Sequence, residues 1–524
     1  MKTRVLALDL GTGGCKGAVY DTAGDLVAEV GETYPMSRPA PLWAEQDPGL
    51  WWAATTAVCR RLTGMVPADT IAAVGLSGQV PTMVLVDAAG HALAPAITWQ
   101  DRRAQQEAEW LQERLGPEQL QHWLGLALPV DAAYPPARLL WWRRHQPDVI
   151  ARAHRVLMAR DFLLLQLTGE FCSDAWSAKG LVHLLTGEAS AEYYAALGLP
   201  ASLAPRILPP SSVAGTVRGI AADATGLRQG TPVVVGWSDA LCGMTGTGAL
   251  GMSGVAFDLA GTSDIVGYTG AAPAPGLLHV PSSIADGISV LYGPTQSSGD
   301  SLLWFTEWTG TADVDATVAA AETAPPGADG LIFLPYLQGE RAPIWDAMAR
   351  GAFVGLQRQH SRGHGARAVM EGVAMSVRHV LDACGAPCGP HRTLRATGGG
   401  TRSDLWNRIR ADVTGMSLAV TEHTNATTLG AAMLAAVGVG LYDNLQDATA
   451  MVRVRATYDP DAERVALYDA LYGRYRALYP ALRPMFGHPD VDDTDHEDRP
   501  RASVARGAPP ALQHREQQGK GRHR

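Results

Sequence analysis

No apolar run in this chain of 524 residues approaches the ~18 residues that a membrane-spanning helix needs. Nor is there a basic excess. Lys and Arg number 43 against 52 Asp and Glu, a net charge of −9, which argues against binding nucleic acid through a basic surface. Cysteine is sparse and scattered, at Cys15, Cys59, Cys172, Cys242, Cys384 and Cys388, with neither a disulfide framework nor paired zinc-ligand spacing. These read as structural thiols in a reducing compartment, where the sequon Asn425-Ala426-Thr427 carries no meaning. Met1-Lys2-Thr3-Arg4 runs straight into a buried-strand pattern containing Asp9, unlike a signal peptide, so a cytoplasmic location is expected. What remains, with 46% hydrophobic residues, is the composition of a soluble globular protein of at least two domains.

The most informative stretch runs from Gly230 to Gly267. Val233-Val234-Val235 reads as a short buried strand ending at Gly236-Trp237-Ser238-Asp239, and a small-residue helix follows. An Asp at the C-terminal end of such a strand stands where open α/β sheets place ligand chemistry. Val255 to Ala260 predicts a second strand, and Gly261-Thr262-Ser263 a tight turn whose N–H groups and hydroxyl suit an anion. The same device opens the chain: the strand from Val5, the turn Asp9-Leu10-Gly11-Thr12-Gly13-Gly14, then a return strand. Two phosphate turns, each opening its own half, imply two like domains closing on a nucleotide.

Between these landmarks, strands and helices alternate. A β-meander is expected over residues 1–30 and a helix from near Gly49. Ile71 to Leu76 predicts a strand closed by Ser77-Gly78-Gln79, with Thr82 to Asp87 as its partner. Trp99-Gln100-Asp101-Arg102-Arg103 opens a helical stretch, residues 135–170 read as mostly helix, and Pro209-Pro210 and Gly215 mark a turn-rich passage. In the second half, Ala366 to Leu381 has an amphipathic period. Thr397-Gly398-Gly399-Gly400 lets backbone approach a flat ligand, and Gly430 to Val437 can pack tightly on a neighbour. Beyond Gly487 the composition turns polar and charged, and that tail, 487–524, is expected to be disordered.

Taken together these motifs resemble the FGGY carbohydrate kinases over roughly residues 4–480, and most of all the xylulokinase branch. The carriers are Asp9-Leu10-Gly11-Thr12, Trp43-Ala44-Glu45-Gln46-Asp47-Pro48, Ser77-Gly78-Gln79, Trp99 to Arg103, Arg160-Asp161-Phe162-Leu163 and Gly236-Trp237-Ser238-Asp239. Gly261-Thr262-Ser263, Gly339-Glu340-Arg341-Ala342-Pro343 and Gly398-Gly399-Gly400 complete the set. The resemblance implies an α/β protein of two ribonuclease H-like (actin-like) domains with a catalytic cleft between them. The sugar-binding domain would span 1–245 and the ATP-binding domain 246–486. It further implies Mg²⁺-dependent transfer of the γ-phosphoryl group of ATP to a hydroxyl of a ketopentose, D-xylulose first. A kinase of another ketose, polyol or sugar acid is the alternative, and a catalytically silent sugar-binding member the rival. The partner is a small sugar or polyol, and homodimers are common among such kinases.

Residue by residue, Asp239 matches the general base and Asp9 the metal-side carboxylate. Thr12 and Lys16 match positions facing the transferred phosphate, and Gly261, Thr262, Gly299, Gly399, Gly400 and Ser403 the nucleotide. Gln79, Val80, Pro81, Trp99 and Asp101, with Asp239, match the sugar side. Glu340 and Arg341 read equally as ligand contacts or as an ion pair shaping the cleft. This chain departs from the family where hydroxyl residues give way to Gly13-Gly14, where Met-His gives way to Val80-Pro81, and at Trp237-Ser238, Ala240 and Asn425.

Overall fold

The computed structural model describes residues 3–125, 130–285, 287–387, 389 and 391–487. Cys388 and the tail expected after Gly487 lie outside them. The unbroken apolar run before Asp9 forms β1 (Arg4–Leu10), buried along nearly its whole length. After the Gly11–Gly13 reversal, closed by Gly11 N–H donating to Gly14 O at 3.0 Å, the chain returns as β2 (Gly14–Asp21) and β3 (Leu26–Thr33). Next comes α1 (Pro48–Met65), begun by Pro48 and by Asp47, which accepts from Gly49 N–H at 2.8 Å. It leads to β4 (Ile71–Gly78), parallel to β1. Further along the chain come β5 (Val213–Thr216), β6 (Pro232–Val234) and β7 (Trp237–Ser238). The sheet order is β5-β6-β4-β1-β2-β3, with β7 paired to the end of β4. α2 (Asp239–Gly246) starts directly from β7.

The second half repeats this plan. β8 (Ala256–Ala260), β9 (Asp264–Thr269) and β11 (Val290–Pro294) make an antiparallel meander, to which β10 (Leu278–Val280) adds an edge. α3 (Gly299–Trp308) and α4 (Arg362–Ala383) precede β12 (Thr393–Thr397), which runs parallel to β8. Then come α5 (Asp404–Thr414), β13 (Ser417–Thr421), parallel to β12, α6 (Ala426–Gly438), and β14 (Val454–Tyr458), antiparallel. Both sheets thus run from an antiparallel meander through two parallel strands to an antiparallel strand. This is the two-lobed, ribonuclease H-like architecture that the twin hairpins imply.

The lobes meet on α6. A Cβ at Gly430 would overlap the Cys242 carbonyl of α2, and one at Gly75 of β4 would overlap the Ala431 carbonyl. Only hydrogen fits at either place, so β4, α2 and α6 lie backbone against backbone.

Three local expectations change. Thr82 to Asp87 does not partner Ile71 to Leu76, because both edges of β4 are taken by β1 and by β6 and β7. Met83–Val86 instead joins a small sheet with Glu45–Gln46, Ala96–Ile97 and Arg155–Met158. Residues 135–170 are mostly helix, as expected, with that last strand set between two of the helices, whereas Gly215 lies within β5 rather than in a turn. α4 is buried on nearly all sides, including Arg367 and Glu371, which pair at 2.8 Å.

Candidate active site

Asp9 ends β1 beside the first hairpin, 7% exposed. Its Oδ1 accepts from the Ser77 hydroxyl at 2.8 Å and its Oδ2 from the Thr427 hydroxyl at 3.0 Å. Burial pushes this carboxyl up, opposed by those two hydroxyls and by the charge of Lys16, its exposed cross-strand neighbour on β2. Asp239 is the first residue of α2, with Ser238 as the cap, so the strand-to-helix turn presents its side chain at the end of β7. It accepts from Ala240 N–H at 2.7 Å. Burial pushes its carboxyl up to about 7, and the negative charge of Asp9 adds to this. Two buried carboxylates, the charge of Asp9 raising Asp239, with hydroxyl donors around Asp9, form an oxygen donor set suited to a hard divalent cation. Among the described residues no group of three or more His, Cys, Asp or Glu side chains could hold a metal ion alone.

The sugar-side residues form one hydrogen-bonded cluster. Trp99 Nε1 donates to Thr12 Oγ1 at 2.9 Å, and Thr12 donates on to Gln79 Oε1 at 3.2 Å. Gln79 Nε2 donates to Gln46 Oε1 at 2.8 Å, and Gln46 Nε2 to Thr12 O at 2.6 Å. The Thr12 hydroxyl and the Gln79 amide are therefore spent within the protein rather than held free for phosphate or sugar. Gln46, a member of the Trp43–Pro48 motif, had not been singled out; its role is visible only once the fold brings the loops together. Val80 and Pro81 are half-buried, the Pro81 carbonyl accepting from Arg138 Nη1 at 2.8 Å.

Asp101 does not reach this surface. It is fully buried, accepting from Ala44 N–H at 2.6 Å and from Arg103 Nη2 at 2.7 Å. Arg103 in turn pairs with Glu45 at 2.7 Å and lies 3.6 Å from the Trp43 ring centroid. Two quoted motifs thus clamp each other, and Asp101 positions the Trp99 loop.

On the nucleotide side, Gly261 N–H donates to Asp264 Oδ1 at 3.1 Å, while the Gly261 carbonyl accepts from Gly299 N–H at 3.1 Å. The start of α3 is therefore docked on the second hairpin, next to Thr262. Gly398 takes φ +99, and a Cβ at Gly399 would meet nothing within 4 Å, leaving an open backbone surface. Ser403 caps α5 by accepting from Trp406 N–H at 3.2 Å, so its hydroxyl serves the helix. Buried Arg410 links the two nucleotide loops: Nη1 donates to Gly400 O at 2.9 Å and Nη2 lies 3.6 Å from Asp264. Glu340 accepts from Gln296 and Arg341 N–H groups at 2.6 and 2.8 Å, and the Arg341 guanidinium reaches Ser263 Oγ at 3.2 Å. The two side chains are not salt-bridged to each other among the described residues: Arg341 braces the second hairpin at Ser263, while Glu340 holds the backbone at Gln296 and Arg341.

Residues 4–246 match the model of the FGGY family of carbohydrate kinases, N-terminal domain, and residues 259–439 that of its C-terminal domain. The chain is 33% identical over 491 residues to the xylulose kinase of Escherichia coli (strain K12), covering 92% of this chain and 99% of that one. Ligand-bound xylulose kinase from Lactobacillus acidophilus superposes with a TM-score of 0.83 at 27% identity, covering 92% and 99% of the two chains. The gluconate kinase of Lactobacillus acidophilus does so with a TM-score of 0.83 at 28% identity and the same coverage.

Proposed function

Because the chain belongs to the FGGY family of carbohydrate kinases, we propose that it transfers the γ-phosphoryl group of ATP to a hydroxyl of D-xylulose. The observation carrying this reading is the pairing of Asp9 and Asp239 at the ends of β1 and β7, in a chain so similar to xylulose kinases along its length. The sugar rests against the first lobe (1–245), near Trp99, Val80 and Pro81, and ATP against the second (246–486), near the Gly261 hairpin and Gly399-Gly400.

Asp239 takes the proton of the attacking hydroxyl, and its raised position near 7 suits it to that exchange at neutral pH. The hydroxyl oxygen bonds to the γ-phosphorus while the bond to the bridging oxygen breaks, leaving the electron pair on ADP. Asp9, helped by Asp239, would hold Mg²⁺, which when bound offsets charge on the phosphates. The hairpin N–H groups orient the phosphates, and Lys16 adds a point charge at the first turn.

A sugar acid is the second reading, favoured by the equal structural likeness to gluconate kinase. A coupled ADP-release assay over D-xylulose, D-gluconate, other ketoses and polyols tests both. Turnover is expected with D-xylulose and Mg²⁺, whereas no ADP release with any sugar would remove the kinase reading.

A further inference from the structure

The chain takes nearly all its positive charge from arginine; its lysines are Lys2, Lys16, Lys179 and Lys520. Lys16 stands opposite Asp9. Lys179 lies far away in sequence, on the turn after Asp174, yet it comes to the same place. Its ammonium sits 5.0 Å from the Trp176 ring centroid, and Trp176 packs in one buried cluster with Trp237 and Leu241, which flank Asp239. Asp174, Asp239 and Asp131 are the carboxylates acting on its charge. The turn is fixed on both sides. Ser177 N–H donates to Asp174 Oδ2 at 2.9 Å, and Gly180 lies so close to the Tyr134 ring that a Cβ would stand 2.7 Å from it. Tyr134 N–H closes the facing turn on the Asp131 carbonyl at 3.0 Å.

Lys179 is half-buried, and among the described residues no hydrogen bond or ion pair engages its ammonium. A partly desolvated ammonium with three unused donors is costly unless acceptors reach it. None of the Asp174, Asp239 and Asp131 carboxylates lies within 4.0 Å of the ammonium among the described residues. Asp174 is held instead by Arg160 at 2.8 Å and by Ser177 N–H at 2.9 Å, and Asp131 Oδ1 accepts from Ala133 N–H at 2.9 Å. On the sugar side the donors of Trp99 and Gln79 are also spent, and Pro81 offers none.

We propose that Lys179 is a specificity-determining residue that donates to an oxygen of a neutral ketose held beside Asp239, in place of the side-chain donor absent at Val80-Pro81. The inference rests on the kinase reading above. Charge decides for a neutral sugar over a sugar acid. Arg160 is used up by Asp161 and Asp174, so Lys179 alone faces Asp239 and Asp131, with Asp9 beyond them. A substrate carboxylate would add a further negative charge to the carboxylates already around one cation.

The test compares wild type, Lys179→Met and Lys179→Arg in two assays: ADP release, and calorimetric titration of sugar without nucleotide. Losing a charge-assisted hydrogen bond should weaken D-xylulose binding and raise its KM by roughly 10- to 100-fold in Lys179→Met. The KM for ATP should stay within about twofold, which also reports an intact fold, and Lys179→Arg should recover part of the loss. Unchanged D-xylulose affinity in Lys179→Met overturns the proposal. So does a wild type that binds D-gluconate in preference to D-xylulose and loses that preference with the lysine. If wild type binds D-xylulose yet turns over no sugar, the kinase reading fails while the titrations still decide the role of Lys179.

Discussion

The Thr427 hydroxyl, on the first turn of α6, donates to Asp9 Oδ2 at 3.0 Å across 418 residues of chain. The carboxylate at the first hairpin is thereby held by the half of the chain that carries the nucleotide loops. The bond favours the charged form of Asp9, so Thr427→Val should push that carboxyl higher still and weaken Mg²⁺ at the site. The Mg²⁺ concentration for half-maximal activity should rise severalfold, and more so on the acid side of neutrality. An unchanged Mg²⁺ requirement at every pH would show that Asp9 does not meet the metal.

Asp239→Asn keeps the size of the side chain and removes the base. The rate should fall by about 10²–10⁴-fold, with sugar binding nearly intact. Steady-state kinetics alongside calorimetry separate the two effects. A variant within tenfold of wild type would place the base elsewhere.

The same residue shapes stability against pH. Its folded value, about 7, lies well above the unfolded ~3.9, so the native state holds a proton that the unfolded chain has released. That contribution is full below about pH 4 and is lost as pH rises through about 7. In Mg²⁺-free buffer, Asp239→Asn should therefore gain on wild type in melting temperature between about pH 5 and pH 8. A gap that stays constant or shrinks over that range contradicts a raised Asp239.

Much of the fold was legible because hydrophobic period and glycine turns are local signals. β1, the hairpin and β2 could be read from Val5 to Tyr20 alone, and Asp239 from its place between an apolar strand and a small-residue helix. The partners were not legible. Asp101 sits in a motif adjoining Trp99, yet the fold turns it inward to Ala44 and Arg103, because a buried carboxylate must be paired. Ser403 fits a nucleotide loop and a helix cap alike in sequence, and the 3.2 Å bond from Trp406 N–H is what shows the cap. Thr427 meets Asp9 from 418 positions away, which no window on the sequence contains. No motif singled out Lys179; the rarity of lysine in the chain is the sequence feature that marks it.

Close backbone packing at the lobe seam gives a stability test. Gly430→Ala would force a methyl group onto the Cys242 carbonyl, which belongs to α2 and cannot move without shifting Asp239's helix. Overpacking onto a backbone carbonyl costs about 3 kcal/mol or more, against roughly 1 kcal/mol gained in helix propensity. A clear fall in melting temperature is expected, with activity falling as well. Gly473→Ala, where a Cβ meets nothing within 4 Å, should be neutral or slightly stabilising by the same assay. Equal effects at the two positions would mean that the seam tolerates separation.

The last test concerns the wall made by Val80-Pro81. Proline has no N–H, and neither side chain offers a hydrogen bond. The wall is anchored from behind: Arg138, fully buried, donates to Pro81 O at 2.8 Å and to Thr98 O at 2.6 Å, tying it to the strand that leads into Trp99. A site built to hydrogen-bond a hydroxyl rejects ligands lacking it strongly, because its own polar groups are left unpaired; an apolar wall discriminates far less. Wild type should therefore accept ketoses, polyols and deoxy sugars that differ at the group facing this wall with kcat/KM values spread over a narrow range. Pro81→His adds a donor there and should widen the range in favour of substrates with a hydroxyl at that position, leaving the KM for ATP unchanged. If wild type already prefers D-xylulose by more than about 10³-fold over such analogues, discrimination of the strength that polar readout gives, then a donor other than the wall reads that hydroxyl. Lys179→Met, measured on the same panel, then identifies or eliminates the lysine as that donor.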